Sequence, residues 1–130
     1  MSHNFDPNQN YYSFNDKNTV PVVFIHGVGL DQQMWEPQIE AFKEYSIITY
    51  DLLGHGKTIL NKEDVTLNDF SNQLKSILEY LKVDKINLVG FSLGSLIELN
   101  LYNNWGLSIF QHVQPFLKQI PSSESDFQYP

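Results

Sequence analysis

The sequence predicts an α/β fold, a mostly parallel sheet flanked by helices, and three observations predict it. Short apolar runs rich in β-branched residues, at Val20–Ile25, Ser46–Tyr50 and Lys85–Val89, have the pattern of strands buried on both faces. Apolar residues at helical spacing lie between them, so strand and helix alternate along the chain. Each run is followed by a glycine turn, and in such sheets ligands bind beyond the carboxyl ends of the strands.

The elements follow in order. Residues 1–18 are mostly Asn, Asp, Gln, Ser and Tyr and read as a polar arm with one short strand near Tyr11–Phe14. Val20–Ile25 is the first central strand, stopped at Gly27. Met34–Glu44 sets Trp35, Ile39 and Phe42 at helical spacing, and Pro37 is tolerated because it falls in the first turn. Ser46–Tyr50 is the second buried strand. Thr66 followed by Asp69 is a capping signal, and Leu67, Phe70, Leu74, Ile77, Leu78 and Leu81 form one apolar stripe behind it. Lys85–Val89 is the third strand, ended by Gly90, after which Leu93, Leu96, Ile97 and Leu101 return to helical spacing.

Beyond Ile97 the pattern fades. Only Glu98, Lys118, Glu124 and Asp126 carry charge there, Gly106, Pro115, Pro121 and Pro130 interrupt the segment, and Leu107–Val113 is a weak strand at best. The chain therefore divides into an arm at 1–18, an α/β unit at 19–97 and a divergent tail at 98–130.

Composition narrows the function. A chain of 130 residues with 42% hydrophobic and 14% aromatic content can bury a core as one unit. The net charge is −7 and all eight cationic residues are lysines, so the basic footprint of a nucleic-acid binder or of an anionic-lipid surface is missing. No cysteine is present, which removes disulfides, thiolate chemistry and cysteine metal sites, and the four histidines show no metal-ligand spacing. With neither a basic-then-apolar start nor a stretch of ~18 apolar residues, the reading is a cytoplasmic protein without a membrane span.

The three turns carry the chemistry: His26-Gly27-Val28-Gly29, Gly54-His55-Gly56 and Gly90-Phe91-Ser92-Leu93-Gly94. Gly-x-Ser-x-Gly between a strand and a helix is the nucleophile elbow. Its turn holds the serine in strained backbone, needs glycine two residues to either side, and leaves the hydroxyl at a helix N-terminus that favours a developing anion. Two other readings are weaker. Gly27-Val28-Gly29 lacks the third glycine of a dinucleotide fingerprint, Gln32 standing in its place. Gly54–Thr58 ends like a phosphate-binding loop, but Asp51 replaces its first glycine and would face the phosphates.

Taken together and in this order, the strand followed by His26-Gly27, the strand followed by Asp51-Leu52-Leu53-Gly54-His55-Gly56 and the strand followed by Gly90 to Gly94 resemble the α/β-hydrolase family over about Val20–Ile97. The wording is similar to small bacterial enol-lactone and carboxylic-ester hydrolases. The resemblance implies Ser92 as nucleophile, the backbone N–H groups of Val28 and Leu93 as oxyanion donors worth roughly 3 kcal/mol each, and His26, Gly27, Gly90 and Gly94 as supports of the motif. In it, His26 and His55 orient loops, and Phe91 and Trp35 either line an acyl pocket or pack the core. A serine at position 92, where halide-displacing and epoxide-opening relatives carry aspartate, implies acyl transfer to a small ester, thioester or lactone without metal or cofactor.

The same resemblance implies a chain order of Ser, acid, His. After Ser92 the one histidine is His112 and the one acid before it is Glu98; Glu124 and Asp126 come too late. Glu98 sits about 9 Å along the helix leaving the elbow, away from the serine, and brings a charge inward where the family has a small residue. The expectation is thus the N-terminal half of a serine hydrolase, truncated near residue 98 and inactive alone. A non-catalytic interaction module that keeps the elbow as architecture, and a phosphate-binding domain using Gly54–Thr58, are the alternatives.

Overall fold

A computed structural model describes residues 2–105. They form five strands, β1 (His3–Phe5), β2 (Tyr11–Asn15), β3 (Val22–Ile25), β4 (Ile47–Tyr50) and β5 (Asn87–Gly90), with helices α1 (Glu36–Ala41), α2 (Leu67–Leu81) and α3 (Leu93–Trp105). One sheet has the order β1-β2-β4-β3-β5.

The centre of the sheet is parallel, β3 pairing with β4 through Val22↔Ile47 and with β5 through Val22↔Asn87. Within the arm, the short strand expected near Tyr11–Phe14 is present as β2, a further strand, β1, precedes it, and the two make the sheet mixed. β1 and β2 form an antiparallel hairpin, and β2 joins β4 antiparallel with Tyr12 opposite Tyr50. A polar sequence suffices here because β1 is exposed along its whole length and contributes mainly ladder hydrogen bonds. The helix read from Met34 begins differently as well: Gln32–Trp35 is a 3-10 turn capped by Asp31, whose carboxylate accepts from Gln33 N–H, and α1 follows with Pro37 in its first turn.

Alternation along the strands divides the core between the two faces. Val23, Ile25, Ile48, Tyr50 and Leu88 face α2 and α3 and pack with Phe70, Leu74, Ile77, Ile97 and Leu101. Phe24 and Ile47 face the other way and pack with Trp35, with Ile39 of α1 against them. Trp35 is therefore a core residue, 3% exposed and tilted against the Phe24 ring at 4.9 Å. The capping box predicted for α2 is present, Thr66 Oγ1 accepting from Asp69 N–H while Asp69 accepts from Thr66 N–H. Ser71 of α2 donates to Asn100 of α3, fixing these two helices side by side.

Candidate functional site

Gly90 ends β5, Leu93 starts α3, and the two residues between must reverse the chain. Phe91 N–H still donates to Ile25 O of β3 at 3.0 Å, so the strand pairing runs up to the turn itself. Ser92 then takes a left-handed backbone, φ +56°, a conformation that costs an L-residue with a Cβ about 1 kcal/mol or more. Its carbonyl accepts from Ser95 N–H at 2.9 Å and from Ser95 Oγ at 2.6 Å, which commits the chain to helix at once. The flanking glycines are required by contact rather than by dihedral. A Cβ on Gly90 would overlap the Gly94 carbonyl and lie 2.7 Å from Ser95 N, and one on Gly94 would overlap the Ile25 carbonyl and lie 3.0 Å from His26 O. These approaches press α3 onto β3 and leave Ser92 exposed at the carboxyl edge of the sheet.

The first glycine turn abuts this serine. A Cβ on Gly27 would stand 3.3 Å from Ser92 Cβ and 3.0 Å from the Phe91 ring, so a side chain there would make one of them give way. Leu30 N–H closes the turn on Gly27 O at 3.2 Å, with Gly29 at φ +76°. Val28, at the tip, is 68% exposed. Among the described residues neither the Val28 N–H nor the Leu93 N–H has a hydrogen-bond acceptor. Both turns thus leave a backbone donor without a partner, one at the tip of the Gly27–Leu30 turn and one in the residue after Ser92.

His26 faces inward, fully buried, and ties the turn to the next loop. Leu52 N–H donates to its Nε2 at 2.9 Å, which makes that nitrogen the acceptor and puts the proton on Nδ1, 2.8 Å from Gly27 O. Burial pushes this imidazole below the usual histidine pKa, and the Gly27 carbonyl pulls it partly back. The His55 ring sits 5.2 Å from it, with Nδ1 3.0 Å from Leu53 O.

Asp51, the first residue of the turn after β4, has a fuller part than an obstacle to phosphate. Its buried carboxylate accepts from Gln32 N–H at 2.9 Å through Oδ1 and from Lys57 N–H at 3.0 Å through Oδ2. A Cβ on Gly56 would overlap that carboxylate, so the loop is wrapped around the acid. Gln32, where the dinucleotide fingerprint needs glycine, is buried and bonds Thr49 Oγ1 at 2.7 Å and Tyr11 O at 3.3 Å. Gln73 of α2 completes the loop's support, taking Leu53 N–H on its oxygen and donating to Asp51 O. A buried carboxylate directly after a buried strand was the available signal for this network; its partners are distant in sequence.

The described residues bring neither an acid nor a histidine to Ser92 in the expected order. Glu98 is buried within α3, 1% exposed, turned inward as its position predicted. His112 lies outside the described residues, as does the strand read at Leu107–Val113. Phe91, 41% exposed, borders the serine. A concavity of about 400 Å³ opens among Val20, Pro21, Leu81 and Lys85, at the amino ends of β3 and β5 and so at the opposite edge from Ser92. No group of three or more His, Asp or Glu among the described residues is placed to hold a metal ion, and none of their helices is long and apolar enough to cross a membrane.

Comparison with known proteins matches residues 20–104 to the family model described as alpha/beta hydrolase fold. Over 91 residues the chain is 38% identical to (E)-2-((N-methylformamido)methylene)succinate hydrolase of Acinetobacter baylyi, covering 69% of this chain and 35% of that protein. Over 84 residues it is 36% identical to 3-oxoadipate enol-lactonase 1 of the same organism, covering 64% and 31%. The bromoperoxidase structure from Bacillus anthracis superposes with a TM-score of 0.79 at 31% identity, covering 86% of this chain and 43% of that one. The chain spans about a third of the length of these curated relatives.

Proposed function

The chain belongs to the alpha/beta hydrolase fold family, and from that premise we propose that it is part of a serine hydrolase that cleaves a small carboxylic ester, thioester or lactone by acyl transfer to Ser92. The observation that carries this reading is the left-handed Ser92 between two glycines whose missing Cβ atoms would overlap backbone; the unpaired N–H groups of Val28 and Leu93 support it as the oxyanion donors. Strain at an exposed serine has a purpose if that hydroxyl must reach a carbonyl carbon. Ser92 Oγ attacks that carbon, the carbonyl oxygen gains the negative charge, and the two N–H groups receive it. Collapse expels the alcohol, thiol or ring oxygen and leaves an acyl-serine, which water then hydrolyses. The enol-lactonase relative supports a lactone or ester among the possible acyl donors.

Ser92 also needs a base to take its proton, and no histidine among the described residues is placed for it. His26 is spent on Leu52 and Gly27. The described residues are therefore read as insufficient for catalysis by themselves. The test is a p-nitrophenyl ester assay beside labelling with a fluorophosphonate at alkaline pH, where hydroxide replaces the missing base. Expected are adduct formation mapped to Ser92, abolished in Ser92→Ala, and no neutral-pH turnover above that variant. Absence of any adduct at Ser92 identifies a non-catalytic module instead. Turnover lost in both Ser92→Ala and His112→Ala overturns the expected absence of turnover and makes His112 the base.

A further inference from the structure

We propose that Asp51 is a positioning residue for the oxyanion site, and that the Asp51–Lys57 loop acts as a mould for the Gly27–Leu30 turn; this rests on the reading of Val28 N–H as an oxyanion donor. Two anchors hold that turn, one at each end, and both belong to the same neighbouring loop. At its entry, His26 is fixed by Leu52 N–H on Nε2 at 2.9 Å and faces Gly27 O from Nδ1 at 2.8 Å. At its exit, Gln32 N–H is held by Asp51 Oδ1 at 2.9 Å. Between these anchors the turn has one internal backbone hydrogen bond, Leu30 N–H to Gly27 O, and an exposed tip. Its height over Ser92 is thus set from outside.

Asp51 is suited to this because it is itself over-determined. It follows β4 directly, its own N–H donates to Tyr11 O at 2.9 Å, and its second oxygen takes Lys57 N–H at 3.0 Å. Its carbonyl is held by the Gln73 amide at 2.9 Å. A carboxylate accepting two backbone N–H groups in a buried site makes charge-assisted bonds that fix both donors at once. The first donor opens the 3-10 turn after the oxyanion turn and the second closes the loop around Gly56, whose lack of a Cβ is what lets the carboxylate in. A shift of Asp51 would therefore move Val28 N–H while leaving Leu93 N–H, which rides on α3, in place.

Amide hydrogen exchange, and titration with phenylboronic acid at alkaline pH, where hydroxide takes the serine proton and the boron closes a tetrahedral adduct on the hydroxyl, test this on the chain as it is. In the wild type, Gln32 and Lys57 amides are expected to open together, with matching protection and matching denaturant dependence, because they share one carboxylate. In Asp51→Ala both exchange at least about tenfold faster, and Leu30 with them, while Val23 and Ile48 in the sheet do not change; Asp51→Asn, which keeps one acceptor, restores only one of the two. The boronate is expected to shift the Val28 and Leu93 amide resonances in the wild type and Leu93 alone in Asp51→Asn. Independent opening of Gln32 and Lys57 in the wild type, uniform acceleration of the sheet in step with the turn, or a Val28 response unchanged in Asp51→Asn would overturn the proposal. Should the variants not fold, the paired opening in the wild type decides it. A wild type in which the boronate shifts neither amide refutes the reading of Ser92, and the exchange data then still decide whether Asp51 moulds the turn.

Discussion

Replacing Gly94 by alanine sets two physical effects of opposite sign against each other. Judged as a residue inside α3, alanine improves helix propensity by up to about 1 kcal/mol. Judged by its surroundings, the new methyl overlaps the Ile25 carbonyl oxygen and lies 2.8 Å from the Ile25 carbonyl carbon. Unstrained carbon–carbon contact is about 3.5 Å or more, so α3 must lift from β3 by at least roughly 0.7 Å, and by more to clear the oxygen. The obstacle is backbone in the centre of a parallel sheet and cannot rotate aside. Overpacking of this kind costs about 1–3 kcal/mol, here at the upper end, for a net loss of about 2 kcal/mol after the propensity gain. With a urea slope of about 1–3 kcal/mol per molar, the midpoint falls by roughly 1 M. Urea unfolding followed by circular dichroism measures this, and Gly29→Ala is the control. Gly29 has open space around its missing Cβ but a φ of +76°, so its variant loses about 1 kcal/mol from backbone strain alone and leaves the Leu93 and Ser95 amide resonances unmoved. A Gly94→Ala protein as stable as wild type, or more so, would refute the account of the elbow as a forced backbone contact.

The left-handed serine gives a second test: at φ +56°, Ser92→Gly should be more stable than Ser92→Ala by about 1 kcal/mol, the reverse of the order at an ordinary helical position, and equal urea midpoints would remove the strain. The third concerns pH. Because burial lowers the His26 pKa, the unfolded chain binds a proton more readily than the folded one, so this residue's contribution is complete above the ordinary histidine value of 6.5 and is lost as pH falls below it towards the folded pKa. Protonation also turns Nε2 from acceptor to donor against Leu52 N–H. Urea midpoints should decline from neutral to mildly acidic pH in the wild type and decline less in His26→Gln, whose side-chain oxygen can still accept from Leu52; equal slopes would sink this assignment.

Three central strands, the capping box of α2 and the elbow were legible because each rests on local rules. A β-branched run reads as a buried strand, Thr66 and Asp69 are three residues apart, and Gly90 and Gly94 bracket Ser92 within five residues. The polar first strands were harder to see. β2 falls where a short strand is expected, but its place beside β4 depends on Tyr12 meeting Tyr50 across 38 positions of sequence, and the exposed β1 carries no alternation to announce it.

What the sequence by itself determined is the order of the motifs and the identity of the strained serine, since glycine and β-branched residues act through sterics within a few bonds of themselves. Only the tertiary structure decided what each glycine is pressed against and what holds the Gly27–Leu30 turn. Gly94 is excluded from bearing a side chain by Ile25, and Gly56 by Asp51. Gln32 and Lys57 are joined through a carboxylate that neither neighbours in sequence. Such contacts depend on how closely distant backbones approach after the sheet has closed, and a local pattern of residues carries no measure of that distance.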